Sequence, residues 1–329
     1  MVSNVNKSQH PNGPFSWGRW LRSFWAFSRP HTIVGTTLSV GALGVMALVL
    51  ADLGTGAQIL PLVWVMLAAL VPSLCANVYI VGLNQLTDIA IDRINKPHLP
   101  LASGAFSLNM GRWIVWVLGG LALLLSAVQG PILLATVGLS MAIGTVYSLP
   151  PLRLKRFPFW AALCIFGVRG VIVNLGFFAH FRRWLTLRAG LESRALSIPP
   201  EVWALTMFVV VFAFAIAIFK DIPDLEGDRQ FQVRTLTVRL GPRFVFRLAL
   251  GVLTLCYGLL IGLALFGVLP SVQSGFLAVT HSLLLGLLWW QSRRVSLQDK
   301  SEISGFYQFI WRLFFLEYLL FPLACVLGQ

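Results

Sequence analysis

Apolar runs of membrane-spanning length recur along the chain, at 30–51, 60–87, 111–129, 131–149, 158–180, 201–219, 244–268, 275–290 and 307–327. Roughly 20 apolar residues cross the hydrocarbon core as a helix, which pairs every backbone polar group within itself. Only 11% of the residues are charged, against about 25% in a soluble domain. The expected fold is therefore an all-α integral membrane protein, a bundle of about nine transmembrane helices. The third and fourth runs are separated only by Gln129, Gly130 and Pro131, which predicts a tight helical hairpin. Residues 1–28 read as a cytoplasmic N-terminal segment and 29–329 as the membrane domain. The N-terminus lacks the apolar core of a secretory signal, so a bacterial or trimmed mature chain is expected.

The net charge of +13 does not point to nucleic acid, because the basic residues sit in short loops beside the apolar runs. With a cytoplasmic N-terminus, 20 of the 25 Lys and Arg fall on the inner side, as the positive-inside bias requires. The exception is HFRRWLTLRAGLESRALSIPPE at 180–201, expected to lie as an interfacial helix on the outer face. Cys75, Cys164, Cys256 and Cys325 are scattered through apolar runs and read as packing residues.

Two acidic clusters stand out. Asn84, Asp88 and Asp92 lie four apart in NQLTDIAIDRINKPHLPLASG, and Asp221, Asp224 and Asp228 lie in KDIPDLEGDRQ. On a continuous helix, four-residue spacing stacks side chains on one face, so two acidic ladders are expected to face each other across a central cavity. Hard divalent cations take oxygen ligands, and Mg²⁺ is commonly held by a few carboxylates with phosphate oxygens and water. Two carboxylate walls with basic residues nearby thus suit a metal-bound diphosphate. The bland alternative is that these acids simply pair with neighbouring cations. A secondary transporter would also carry polar groups within a bundle, but its sites usually lie near the bilayer midplane.

The NxxxDxxxD pattern at Asn84, Asp88 and Asp92, with DxxxD at Asp224 and Asp228, resembles the UbiA superfamily of intramembrane aromatic prenyltransferases. RPHTIVGT at 29–36, YSLPPLRLKR at 147–156, VRGVIVNLGFFAHF at 168–181 and the segment from Lys220 to Gly241 are similar to its homogentisate prenyltransferases, above all the phytyl-transferring cyanobacterial members of tocopherol synthesis. Gln85 stands where chlorophyll- and menaquinone-directed relatives usually have Asp.

The resemblance implies Mg²⁺-dependent transfer from phytyl diphosphate to homogentisate, with decarboxylation, giving 2-methyl-6-phytylbenzoquinol. Geranylgeranyl and solanesyl diphosphate are the alternative donors. The expected metal ligands are Asp88, Asp92, Asp224 and Asp228, with Asp221 in support and Asn84 orienting the shell. Arg93, Lys96, Arg153, Lys155 and Arg229 are candidate diphosphate cations, equally explained by topology. Tyr147 is expected beside the diphosphate or the carbocation. Arg29, His31, Asn77 and Arg169 are the acceptor candidates, with helix anchoring for His31 and interhelical bonding for Asn77 as the plainer roles. A cyanobacterial thylakoid or plasma membrane is implied, with the acidic motifs on the cytoplasmic side.

Overall fold

A computed structural model describes residues 16–51, 58–190, 197–233 and 235–329. Among these residues there are nine long helical stretches. They are α2 (Pro30–Val49), α3 (Ile59–Thr87), α6 (Leu108–Val128), α7 (Pro131–Ser148), the composite of α8 (Pro158–Phe166) and α9 (Val173–Arg188), α10 (Pro200–Phe219), α13 (Pro242–Leu265), α14 (Ser274–Ser292) and α15 (Lys300–Leu327). Eight are long and apolar enough to cross a membrane; the ninth, α14, matches the shortest apolar run. Shorter helices are α1 (Trp17–Phe27), α4 (Ile89–Asn95), α5 (Pro100–Ser103), α11 (Leu225–Gln230) and α12 (Leu236–Leu240).

Local chemistry sets the boundaries. Proline opens α2, α7, α8, α10 and α13, where its missing N–H costs nothing because first-turn N–H groups lack intrahelical partners. The α6–α7 hairpin forms as expected, turning at Gly130 with φ 113°, a conformation that glycine adopts without a Cβ penalty. The helices close on themselves: α2 packs on α3, α9 and α15; α3 on α6 and α7; α10 on α8 and α13; and α13 on α14, which returns to α15.

One expectation needs correction. The fifth run does not stop near residue 180 but continues as helix to Arg188, because Phe181 and Leu185 are fully buried and hold this extension against the bundle. Arg182, Arg183 and Arg188 are therefore on the end of a long span, not on a separate interfacial helix; Arg182 donates to the Leu50 carbonyl at 2.9 Å. Arg194 lies outside the described residues. The N-terminal segment contributes α1, which ends in Phe27, fully buried in the core.

Far from the acidic motifs, His281 on α14 and Glu317 on α15 are both fully buried, with His281 Nε2 and Glu317 Oε2 2.9 Å apart. Glu317 Oε1 has no partner among the described residues. A lone buried polar group costs its full desolvation penalty. Glu317→Ala should thus destabilise the protein by about 1–3 kcal/mol, read as a lower melting temperature in detergent, and His281→Leu in the same chain should restore part of the loss.

Candidate active site

The helix carrying the first motif is interrupted where the motif begins its acidic part. Helix α3 ends at Thr87, Asp88 has φ −120°, and α4 starts at Ile89. Asn84, Asp88 and Asp92 are consequently not one continuous ladder. Donors from the α7–α8 loop meet the break. Arg153 Nη2 donates to the Thr87 carbonyl at 3.3 Å and to Asp88 Oδ1 at 3.0 Å, while Lys155 Nζ donates to Thr87 Oγ1 at 2.9 Å and Asp88 Oδ2 at 2.7 Å. Arg153 reaches there from a left-handed backbone, φ 38°, directly before a 3₁₀ turn at Leu154–Arg156.

The second motif is likewise broken. Asp221 follows the end of α10, and Asp224 stands just before α11, which carries Asp228. The two motif helices meet in direct contact instead of facing each other across a cavity. Lys96 forms an ion pair with Asp224, and Asn95 Oδ1 accepts from the Gly227 N–H at 3.0 Å. A Cβ on Gly227 would come within 2.3 Å of that amide oxygen, so glycine permits this approach. Lys220 pairs with Asp221 at 2.5 Å.

Five carboxylates thus gather with four paired cations, Lys96, Arg153, Lys155 and Lys220. Among the described residues Asp92 and Asp228 have no ion pair and Asp92 Oδ2 has no hydrogen-bond partner; the two side chains are 5% and 6% exposed. Burial pushes Asp92 up to about 6, with the Asp88 and Asp224 charges adding to the effect against Arg29 and Lys96. Asp228 is pushed up to about 7, again first by burial and then by Asp221 and Asp224. Burial also pulls the Lys155 ammonium down, against the attraction of Asp88.

This donor set fits a divalent cation in part. Oxygen ligands with an unsatisfied carboxylate are present, but no three acidic, His or Cys residues among those described converge closely enough to hold an ion alone. Phosphate oxygens and water would have to complete the shell, the usual arrangement for Mg²⁺.

Beside the carboxylates opens a cavity of about 280 Å³. Arg29, Asn84, Tyr147 and Lys220 line it, as do His31, Asn77 and Arg169. Arg29 Nη2 lies 3.4 Å from Asn84 Oδ1. The Asn77 amide donates to Thr32 Oγ1 at 2.9 Å, so it does take the interhelical role. The His31 ring sits 4.9 Å from that of Trp311.

Arg169 lies in a π-helical turn, Gly167–Ile172, between α8 and α9; such turns concentrate at functional sites. Its guanidinium is 5.3 Å from the centroid of Trp311 and 5.6 Å from that of Phe314, with no carboxylate in ion-pair range among the described residues. Gly35 makes room for it, since a Cβ there would come 2.6 Å from Nη1. Further along the cavity, Ser39, Ser73, Thr136 and Ser140 all donate to carbonyls four residues back in their own helices, which leaves the wall largely apolar.

Two expected diphosphate cations are not brought in. Arg93 and Arg229 are exposed and form no ion pair among the described residues, because α4 and α11 bury Asp92 and Asp228 instead. Lys220, Tyr307 and Trp311 line the cavity and escaped the sequence reading. Lys220 was one of many inner-side cations, and the two aromatics sat in an apolar run rich in aromatics.

The raised carboxyls carry a stability consequence. Between about pH 4, where an unfolded Asp titrates, and pH 7 the folded chain holds more protons than the unfolded one, so stability falls as pH rises through that window. In metal-free buffer, Asp92→Asn and Asp228→Asn should each raise the melting temperature at pH 8 by about 2–5 °C, and the gain should shrink at pH 5. Equal melting temperatures at pH 8 would contradict the burial of these charges.

Residues 36–313 match the UbiA prenyltransferase family. The chain is 52% identical over 311 residues to the homogentisate phytyltransferase of Synechocystis sp., covering 92% of this chain and 96% of that one. It is 40% identical to the chloroplastic homogentisate phytyltransferase 1 of Arabidopsis thaliana, covering 92% and 75%. Two solved structures share the fold: a digeranylgeranylglyceryl phosphate synthase, with a TM-score of 0.59 at 18% identity over 93% of this chain and 98% of that one, and a UbiA homologue from Archaeoglobus fulgidus bound to GPP and Mg²⁺, with 0.57 at 15% over 91% and 99%. With a family match over most of its length and relatives of this identity, the chain belongs to the UbiA prenyltransferase family.

Proposed function

We propose that the protein transfers a phytyl group from phytyl diphosphate to homogentisate with loss of carbon dioxide, at the inner face of a cyanobacterial thylakoid or plasma membrane. The observation that carries this is the juxtaposition of two carboxylate clusters with a cavity lined by Arg169, which has no carboxylate in ion-pair range among the described residues. The identity to the Synechocystis and Arabidopsis homogentisate phytyltransferases supports the substrates.

Asp88, Asp92, Asp224 and Asp228 would hold Mg²⁺, with Asp221 in support and Asn84 orienting the shell. When bound, Mg²⁺ supplies Lewis acidity to the departing diphosphate oxygens. Lys96, Arg153, Lys155 and Lys220 stand on the same carboxylates and neutralise the leaving group. Lys acts as a point charge and Arg can grip two oxygens. Tyr147 and the aromatic wall face the allylic cation in a water-poor space, and the apolar stretch past Ser140 takes the prenyl chain. Arg29 and Arg169 receive the homogentisate carboxylate, with His31 on the same wall. As the new C–C bond forms, the ring carbon gives up a proton, and the side chain that loses carbon dioxide takes one up to become a methyl group.

Asp88→Ala or Asp224→Ala should lower product formation by at least about a hundredfold while the protein still inserts and runs as a folded species. Wild-type turnover in either variant would refute the diphosphate site. Purified protein supplied with homogentisate, Mg²⁺ and each donor in turn should prefer phytyl diphosphate; preference for geranylgeranyl or solanesyl diphosphate would reassign the donor. Arg169→Met should raise KM for homogentisate about tenfold to a hundredfold, with KM for the diphosphate unchanged.

A further inference from the structure

The chain reverses between α1 and α2 through Ser28 and Arg29, and Arg29 is held at φ 52°, a left-handed conformation uncommon for any residue with a Cβ. Such a backbone persists only where its surroundings over-determine it. Three consecutive carbonyls show how. The Phe27 carbonyl accepts from Gln85 Nε2 at 2.7 Å, the Ser28 carbonyl from Asn77 Nδ2 at 3.4 Å, and the Arg29 carbonyl from Thr32 Oγ1 at 2.8 Å.

The shortest of these bonds is the one to Phe27. The last carbonyls of a helix have no intrahelical partner, and Pro30 has no N–H with which to close a three-residue turn on Phe27. Gln85 supplies the missing donor from α3. It is 1% exposed, and among the described residues its Oε1 has no partner and its Nε2 has one other neighbour, the Val81 carbonyl of its own helix at 3.4 Å. One residue earlier, Asn84 meets the Arg29 guanidinium. The contact is close-fitting: the Phe27 ring lies 2.7 Å from where a Cβ on Gly82 would be.

We propose that Gln85 is a positioning residue for Arg29: its amide N–H fixes the Phe27 carbonyl, and thereby the left-handed turn that delivers the guanidinium to Asn84 and the cavity. Gln85 touches no substrate. The inference rests on the reading above that Arg29 meets the acceptor carboxylate. A carboxylate at this position would face the Phe27 carbonyl without a proton to share, whereas a carboxylic acid or an amide can donate.

The test is a double-mutant cycle on KM for homogentisate, with kcat and KM for phytyl diphosphate measured alongside. Arg29→Ala and Gln85→Met should each raise KM for homogentisate about tenfold or more, and the double variant should be no worse than Arg29→Ala alone, because coupled residues are non-additive. Gln85→Glu should approach wild type at low pH, where the acid donates, and lose ground relative to wild type as pH rises. Additive losses, or a Gln85→Met protein with wild-type KM, would overturn the inference. Should Gln85→Met fail to fold, the pH-dependent ratio of Gln85→Glu to wild type decides the matter, a flat ratio counting against the role. Failure of the unaltered protein to turn over homogentisate would instead overturn the acceptor reading beneath it. A normal KM in Arg29→Ala with a raised KM in Gln85→Met would show that Gln85 acts by another route.

Discussion

Carboxylates withdrawn from water at a membrane boundary repel one another and lose their hydration, and the arrangement of this protein's inner end follows from how that cost is met. At an effective dielectric near 20, two like charges 4 Å apart are disfavoured by about 4 kcal/mol. Asp88, Asp221 and Asp224 each have a cation within reach; among the described residues Asp92 and Asp228 have none, and burial pushes their carboxyls above the usual carboxylate range. The bland account of the acids, that they pair with neighbours, is therefore true of three and fails for two. Two buried carboxyls remain whose ionised forms added positive charge would favour, which is the role given to the metal in the proposed function.

The network also explains the broken helices. An unbroken α3 would keep its terminal backbone groups engaged within the helix. By ending at Thr87 the chain exposes a carbonyl and a hydroxyl to Arg153 and Lys155, and it sets Asp88 where both cations reach it. On the other side, Asn95 and Lys96 tie α4 to Gly227 and Asp224. Two interruptions far apart in sequence thus become one site, stitched by side chains from three loops and supported by rigid spans.

The spans themselves were legible because hydropathy needs only local sequence: the runs expected from 30, 131 and 158 start in the structure at Pro30, Pro131 and Pro158, and those expected from 201 and 244 start one and two residues earlier, at Pro200 and Pro242. Four-residue spacing brought out the acidic residues but could not show the break at Asp88, since spacing is the same whether or not the helix continues. Nor could it separate Lys96 and Lys155, which hold carboxylates, from Arg93 and Arg229, which face the surface; all four satisfy the same inner-side bias. The helix to Arg188 was hidden because its arginines resemble an interfacial face, and only the burial of Phe181 and Leu185 reveals otherwise. Gln85 looked like a spelling difference within a motif, for its partner Phe27 lies 58 residues away.

Depth within the bundle divides the chemistry. The ion-paired groups gather at helix ends, whereas Arg169 sits within a span and against the faces of Trp311 and Phe314. A guanidinium is weakly hydrated and tolerates aromatic stacking better than an ammonium would, so it can wait in an apolar wall without a permanent carboxylate. Such a carboxylate, had it been present, would have to be displaced by any anionic acceptor. Leaving Arg169 to two indole and phenyl faces keeps its charge available, and the π-helical turn that carries it lets α8 and α9 remain one continuous span while presenting that charge to the cavity.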